Sequence, residues 1–331
     1  MPGPTEPQPT RLGITIPLDL PLAAQPPVLG ELQQAGYTDF WTAETARCDA
    51  FVPLAHAAAV TPGARFGTAI ASVYARGPAA LAMSAAAVAE AAPGRFALGI
   101  GASSPTLATD WNAAPYDRPL ARVRDTARFL RAALGGARVD VAYDTFAVRG
   151  FRLERPPADV PPVLVAALRP GMLRVAAQEA DGAVLNWLAA EDVPVVRAHL
   201  NEDSIVAARI FLCPSTDPAV VRNAARRLIA TYSSVPAYAR FHEWLGRGPA
   251  LARCWDAWAG GDKRAAAAAV PDDVVDALIV HGPVVECAAR VREYVAAGVD
   301  VPVLKFLPLD PARELLDDAR AVGVALAGVR G

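Results

Sequence analysis

The sequence predicts an α/β fold, a (β/α)8 TIM barrel with a helical insertion before the eighth strand and a small external β-hairpin. Three observations carry that reading. The stretch Arg65 to Pro105 reads strand, helix, strand: the apolar runs RFGTAIAS and RFALGIG flank a helix-period block, as in two buried parallel strands joined by a crossover helix. Eight strand–helix units then follow one another with no internal linker. The 331 residues, 53% of them hydrophobic, suffice for one large barrel or two ordinary domains. On pattern alone a doubly wound sheet stays open.

LGITIPL (Leu12 to Leu18) is the first apolar strand. A helix follows from Pro27 to Ala35, closed by Gly36. Thr38 to Ala43 reads as the second strand and Phe51 to Val60 as its helix. In the central unit the helix runs from Gly77 to Ala91. It is rich in Ala, Leu and Met, Pro78 suits its first turn, and Pro93-Gly94 stops it. Ser103 to Arg118 is a long loop before a helix from Pro119 to Leu134, and Val139 to Glu154 alternates like a hairpin. Val160 to Leu168 is the fifth strand, Pro170 to Ala180 its helix, Gly182 to Trp187 the sixth strand and Ile205 to Cys213 the seventh. A helix-rich insertion includes Pro218 to Tyr232 and Pro249 to Trp258. Val301 to Pro308 is the eighth strand and Pro311 to Leu326 the closing helix.

Composition excludes several function classes. A net charge of -2 argues against a nucleic-acid groove or an anionic-membrane surface. The cysteines Cys48, Cys213, Cys254 and Cys287 form no C-x-x-C pair, which fits a reduced cytoplasm and gives no metal cage. The histidines lack the i, i+4 pairing of a helical zinc site. MPGPTEPQPT has neither a basic nor an apolar signal-peptide region, so residues 1–10 are expected to be a disordered Pro-rich tail and 11–331 one domain. The Ala-rich run Ala79 to Ala92 contains Glu90 and is flanked by strands, so a core-facing helix is expected rather than a membrane span.

Three blocks give the chain a relative. The first is Gly67-Thr68-Ala69-Ile70, then Arg76-Gly77-Pro78, then Gly94-Arg95-Phe96-Ala97-Leu98-Gly99-Ile100-Gly101. The second is Ala166-Ala167-Leu168-Arg169-Pro170-Gly171-Met172-Leu173 with Ala180-Asp181-Gly182 and Leu185-Asn186-Trp187. The third runs from Val270-Pro271-Asp272-Asp273 through His281-Gly282 to Ala297-Gly298-Val299-Asp300. In this order they resemble the bacterial-luciferase-like superfamily, in particular its coenzyme F420-dependent oxidoreductases. The resemblance covers nearly the whole chain beyond the tail and favours the barrel over the open sheet. It also implies a cytoplasmic enzyme, a small-molecule substrate and a homodimer.

Barrel enzymes place their sites at the C-terminal ends of the strands. No Ser-His-Asp order, carboxylate pair or H-E-x-x-H stands there, so a cofactor is expected to carry the hard chemistry. The turn before Pro170 presents free N–H groups and the positive end of a helix dipole, a place for a phosphate. The resemblance carries cofactor contact onto Ala167, Leu168, Gly171, Met172 and Asn186. The family's glycine is Arg169 here and its basic residue is Gly171, so Arg169 is expected either to restore the charge or to narrow the pocket. The resemblance also implies a non-proline cis bond between Ala69 and Ile70. It places Ala69, Ile70 and Ala71 behind the cofactor's middle ring, with Gly101 and Ala102 beside them.

Sugar-phosphate and alcohol dehydrogenases of that branch place an Asp-His pair where this chain has Glu44 and Thr45. The sugar-phosphate members place an acidic Glu where it has Ser104. Glu44 is open to two readings, a catalytic acid or a rim carboxylate bonded to backbone. Trp111, with Asn112, lies in the long loop and is expected either to cover the substrate or to pack on the barrel top. Lys305, His242 and His281 are candidates for the mouth, whereas His56 and His199 are expected in core or surface roles. Coenzyme F420 is the expected cofactor, with reduced FMN in a monooxygenase and a non-catalytic binding protein as the other readings. Because Thr has no titrating group near neutral pH, glucose 6-phosphate with F420 is expected to show no turnover in a spectrophotometric assay of deazaflavin reduction.

Overall fold

The computed structural model describes residues 11–16 and 20–327. The expected N-terminal tail, and Pro17 and Leu18 of the first strand, lie outside these residues. The chain divides into two compact units, one made of Gly13–Val184 with His199–Ala207, the other including Leu185–Ala198 and the chain from Ala208 onward. We call them the N-terminal and C-terminal units.

The N-terminal unit alternates strand and helix. In order come β1 (Gly13–Thr15), α1 (Gln25–Gln34), β2 (Asp39–Thr42), α2 (Val52–Val60), β3 (Arg65–Thr68), β4 (Ala71–Ser72), α3 (Pro78–Ala91) and β5 (Phe96–Gly101). A six-residue π-helical turn, Thr106–Trp111, interrupts the expected long loop before α4 (Pro119–Leu134). There follow β6 (Val139–Ala142), β7 (Ala147–Phe151), β8 (Val163–Ala166), α5 (Pro170–Glu179) and β9 (Gly182–Asn186), whose end passes into the C-terminal unit. Pairing is parallel from β1 through β2, β3, β5 and β8 to β9, while β6 and β7 form a separate antiparallel hairpin. β8 is shorter than its apolar run because Pro161 and Pro162 bring no N–H to a ladder.

The remaining elements are α6 (Val193–Arg197), β10 (Ile205–Cys213), α7 (Pro218–Ser233), α8 (Pro236–Trp244), α9 (Gly248–Ala259), α10 (Lys263–Ala268), α11 (Asp272–Leu278), β11 (Ile279–His281), α12 (Val284–Ala296), β12 (Val301–Phe306) and α13 (Leu315–Ala327). The insertion before the last strand is therefore not purely helical: β11 pairs in parallel with the end of β10. The closing helix starts at Leu315 rather than Pro311. Asp310 accepts from the Ala312 amide at 2.9 Å and its carbonyl from the Arg313 amide at 3.2 Å, a turn that competes with helix.

Close backbone approach decides the interior of the N-terminal unit. Trp41 on β2 stands opposite Gly67 on β3 and is buried. A Cβ at Gly67 would lie 2.5 Å from the indole, so the glycine is what admits the large ring. Next along, the Thr68 hydroxyl donates to the Gly99 carbonyl at 2.7 Å. A Cβ on Gly99 would sit 1.9 Å from the Thr68 carbonyl oxygen, a backbone atom with little freedom to move. Gly99→Ala is therefore expected to cost at least about 1–3 kcal/mol, the range of core overpacking, read as a lowered midpoint in urea unfolding.

Candidate active site

The turn around β4 is held by charge. The Thr42 hydroxyl donates to the Ala50 carbonyl at 2.6 Å and closes the loop after β2. From that loop the Glu44 amide donates to the Ile70 carbonyl at 3.1 Å, and the Glu44 carboxylate accepts from the Ser72 amide at 2.8 Å. The other Glu44 oxygen pairs with Arg76, whose second terminal nitrogen pairs with Asp49. Asp49 in turn accepts the Phe51 and Val52 amides, both at 2.7 Å, where α2 begins. The Arg76 guanidinium also lies 5.0 Å over the Phe51 ring, a cation–π contact. One arginine thus ties the β2 loop, the start of α2 and the β4 turn together.

Between β3 and β4 the peptide bond Ala69–Ile70 is cis, at the position the resemblance implies. The Ile70 side chain lies against the end of β5: a Cβ on Gly101 would come within 3.3 Å of Ile70 and 2.8 Å of the Ala166 Cβ. Ala71 is buried and pairs with Ile100, and Ala69 is also buried, while Ala102 is half-buried just past β5.

A cleft of about 370 Å³ opens beside the clamp, lined among others by Glu44, Thr45, Arg76, Leu107, Trp111 and Asn112. Trp111 is 56% exposed, so it stands in the cleft wall rather than packed beneath it. Asn112 donates to the Leu107 carbonyl at 2.7 Å, and the Ser104 hydroxyl accepts from the Leu107 amide at 3.2 Å, so both support the π-helical turn. Thr45 is exposed, and its hydroxyl accepts from the Arg47 amide at 3.3 Å. Burial, with the Glu44 charge adding to it, raises the pKa of Cys48 on the same wall; it stays a thiol rather than a nucleophilic thiolate near neutral pH.

The turn into α5 presents donors. Pro170 at the first helical position has no N–H, and the Met172 and Leu173 amides both bond to the Arg169 carbonyl at 3.0 Å. The Gly171 amide between them has no partner among the described residues, and the exposed Arg169 side chain makes no ion pair with them. Ala167 is buried, its amide on the Val184 carbonyl at 3.2 Å, and Leu168 is half-buried.

In the C-terminal unit the Asn186 amide donates to the Tyr238 hydroxyl at 2.9 Å, and its Oδ1 is buried without a partner. Arg209 on β10 is half-buried, and its Nε is buried with no partner among the described residues. Sequence reasoning missed Arg209 and Tyr238; the available signal was an arginine inside the apolar run IVAARIFLC. Asp49 was missed as well, and Arg76 was seen only as part of a motif. His281 pairs with Asp276 at 2.8 Å, and burial pushes His242 down to about 4, which keeps it neutral. His56 is half-buried mid-helix, His199 is exposed, and Lys305 is half-buried on β12. No cluster suited to a metal ion occurs among the described residues, and no helix there is long and apolar enough to cross a membrane.

The luciferase-like monooxygenase family matches residues 15–301. A Mycobacterium tuberculosis protein with the provisional name coenzyme F420-dependent oxidoreductase is 24% identical over 88% of this chain and 94% of its own length. The coenzyme F420-dependent tetrahydromethanopterin reductase of Methanopyrus kandleri superposes with a TM-score of 0.77 at 19% identity, covering 96% of this chain and 98% of the other. An F420-dependent secondary alcohol dehydrogenase, solved with an F420-acetone adduct, gives 0.74 at 15% identity over 98% and 100%. These likenesses show the fold, a closed parallel (β/α)8 barrel.

Arg76→Met leaves two carboxylates facing each other across a partly buried rim. It is expected to lower unfolding free energy by about 1.5–3 kcal/mol, the worth of hydrogen bonds to charged groups, with the midpoint of urea unfolding as the readout.

Proposed function

The chain belongs to the luciferase-like monooxygenase family, and on that premise we propose an oxidoreductase that uses coenzyme F420 on a small organic substrate. The observation that carries the proposal is the turn into α5. Among the described residues the Gly171 amide has no partner at a helix N-terminus and Arg169 beside it makes no ion pair, a donor set that suits a phosphate by its chemistry. The residues present therefore fit the cofactor's phosphate, with Ala167, Leu168 and Met172 as its further neighbours.

When bound, the deazaflavin supplies hydride transfer to or from a carbon centre. The chain's own part is position. Ile70 is packed on Gly101 and its carbonyl is held by the Glu44 amide, which makes it a firm backing for a planar ring, with Ala69 and Ala71 too small to obstruct it. Glu44 has one oxygen on the Ser72 amide and the other on Arg76, so we assign it to positioning. Trp111 and Asn112 would wall off the substrate side of the cleft and exclude water. With Thr45 and Ser104 where other members of the branch hold a proton, a hydroxyl hydrogen bond replaces a titrating group in this site. We take residues 11–331 as one catalytic domain.

Titration of the protein with F420 and with FMN, followed by fluorescence, tests the reading. Saturable binding of F420 is expected. Binding of FMN alone would move the protein to the monooxygenase chemistry, and binding of neither would overturn the enzymatic reading. Arg169→Ala is expected to weaken F420 about tenfold to hundredfold, the loss of one charge-assisted hydrogen bond; an unchanged dissociation constant would place Arg169 outside the site.

A further inference from the structure

The C-terminal unit holds a second group of polar atoms that the protein itself leaves unmet. Arg209 sits in the middle of β10 between apolar neighbours, and its guanidinium lies 5.5 Å over the Phe211 ring. Its Nε is buried with no hydrogen-bond partner, and no carboxylate pairs with it among the described residues. Its electrostatic neighbours are the phenols of Tyr238 and Tyr232. Phe211 stacks on Trp187 at 4.2 Å, Trp187 on Tyr232 at 4.8 Å, and Tyr232 meets Tyr238 edge-on at 6.1 Å. Within this aromatic group the Trp187 Nε1 is also buried and unpartnered. Asn186 spends one end of its amide on the Tyr238 hydroxyl, and the other end is buried without a partner whichever way the amide is turned.

A fold that needed only packing here would place an apolar residue at position 209. A buried charge without a partner costs stability, and apolar replacements of buried charges are often neutral or stabilising. The Arg209 side chain as a whole is half-buried, its Nε fully so, and that partial burial lowers the pKa of the guanidinium. The groups left over among the described residues are mainly donors: the Arg209 Nε–H, the indole N–H, and the Tyr238 hydroxyl, which accepts from Asn186 and keeps its own hydrogen to give. The ligand chemistry that satisfies them is a small anionic oxygen group, and the leftover end of Asn186 is placed for a polar atom next to it.

We propose that Arg209, Tyr238, Trp187 and Asn186 form a binding site for a carboxylate or phosphate group. Only the source of that anion rests on the function proposed above: it is an anionic group on the substrate or, should the turn into α5 not hold it, the cofactor's phosphate.

The test compares the full-length protein with Arg209→Met, and with Arg209→Gln should the first variant fail to fold. Thermal unfolding is followed with inorganic phosphate or succinate added. At least one of these anions is expected to raise the wild-type midpoint and to leave the variant unmoved, and the variant without anion is expected to melt no lower than wild type. No shift in wild type with either anion, or an equal shift in both proteins, overturns the proposal. Two further titrations separate the sources. If Arg209→Met weakens F420 about tenfold to hundredfold but leaves its phosphate-free deazaflavin riboside unchanged, the anion is the cofactor's. If neither affinity changes while the anion shift is lost, the anion is the substrate's. A wild type that binds neither F420 nor FMN defeats the function proposed above, and the unfolding comparison still decides the anion site.

Discussion

The pairing of one guanidinium with two carboxylates organises the rim of the N-terminal unit. Arg76 engages Glu44 and Asp49, and each carboxylate has a further backbone duty. Glu44 takes the Ser72 amide and Asp49 takes the first amides of α2. Three segments far apart in sequence are thereby fixed by a single charge. The side chains are largely shielded, with Glu44 10% and Arg76 19% exposed, so the attraction is screened less than an exposed pair would be. What the clamp secures is the turn that presents Ile70. The cofactor backing proposed for Ile70 would have to hold its place within a fraction of an ångström, and a loop held only by apolar contact offers less angular precision than charged hydrogen bonds do.

Glycine supplies the complementary constraint. The clamp holds the turn from outside, and Gly67, Gly99 and Gly101 let neighbouring strands and side chains close against it from inside. Each would bring an added Cβ within 3 Å of a neighbour. The two devices act on different atoms. Charge fixes where the backbone of the β4 turn goes, and missing side chains decide how closely Trp41, Thr68 and Ile70 pack beside it. This explains why the GT and LGIG motifs look unremarkable as sequence and matter as geometry.

Much of the fold was legible because burial writes itself into composition. α4 and β10 begin and end where the apolar periodicity does. The late start of α13 was not legible, because it depends on Asp310 turning the chain through its own side chain. β11 was missed because three residues, IVH, carry no periodicity. For the site, resemblance supplied the cis peptide, the α5 turn and Asn186. The partners of Arg76 and the isolation of Arg209 belong to tertiary structure. No spacing rule tells which carboxylates a guanidinium will meet, nor that it will meet none.

Those two arginines mark the difference between stability and function in this chain. Arg76 is balanced by two acids, so its charge is accounted for by the fold. Among the described residues Arg209 is met only by aromatic faces and phenols. Folding alone gives little reason to bury the Nε of a cation there without a partner. Asn186 and Trp187 repeat the pattern, with a polar atom each buried and unmet in the same aromatic group. Unmet groups of this kind are rare in native interiors, and several in one cluster share one economical explanation. In the reading proposed here they meet a partner that the chain does not itself contain: the donors of Arg209 and Trp187 call for its negative charge, and Asn186 for a polar atom beside it.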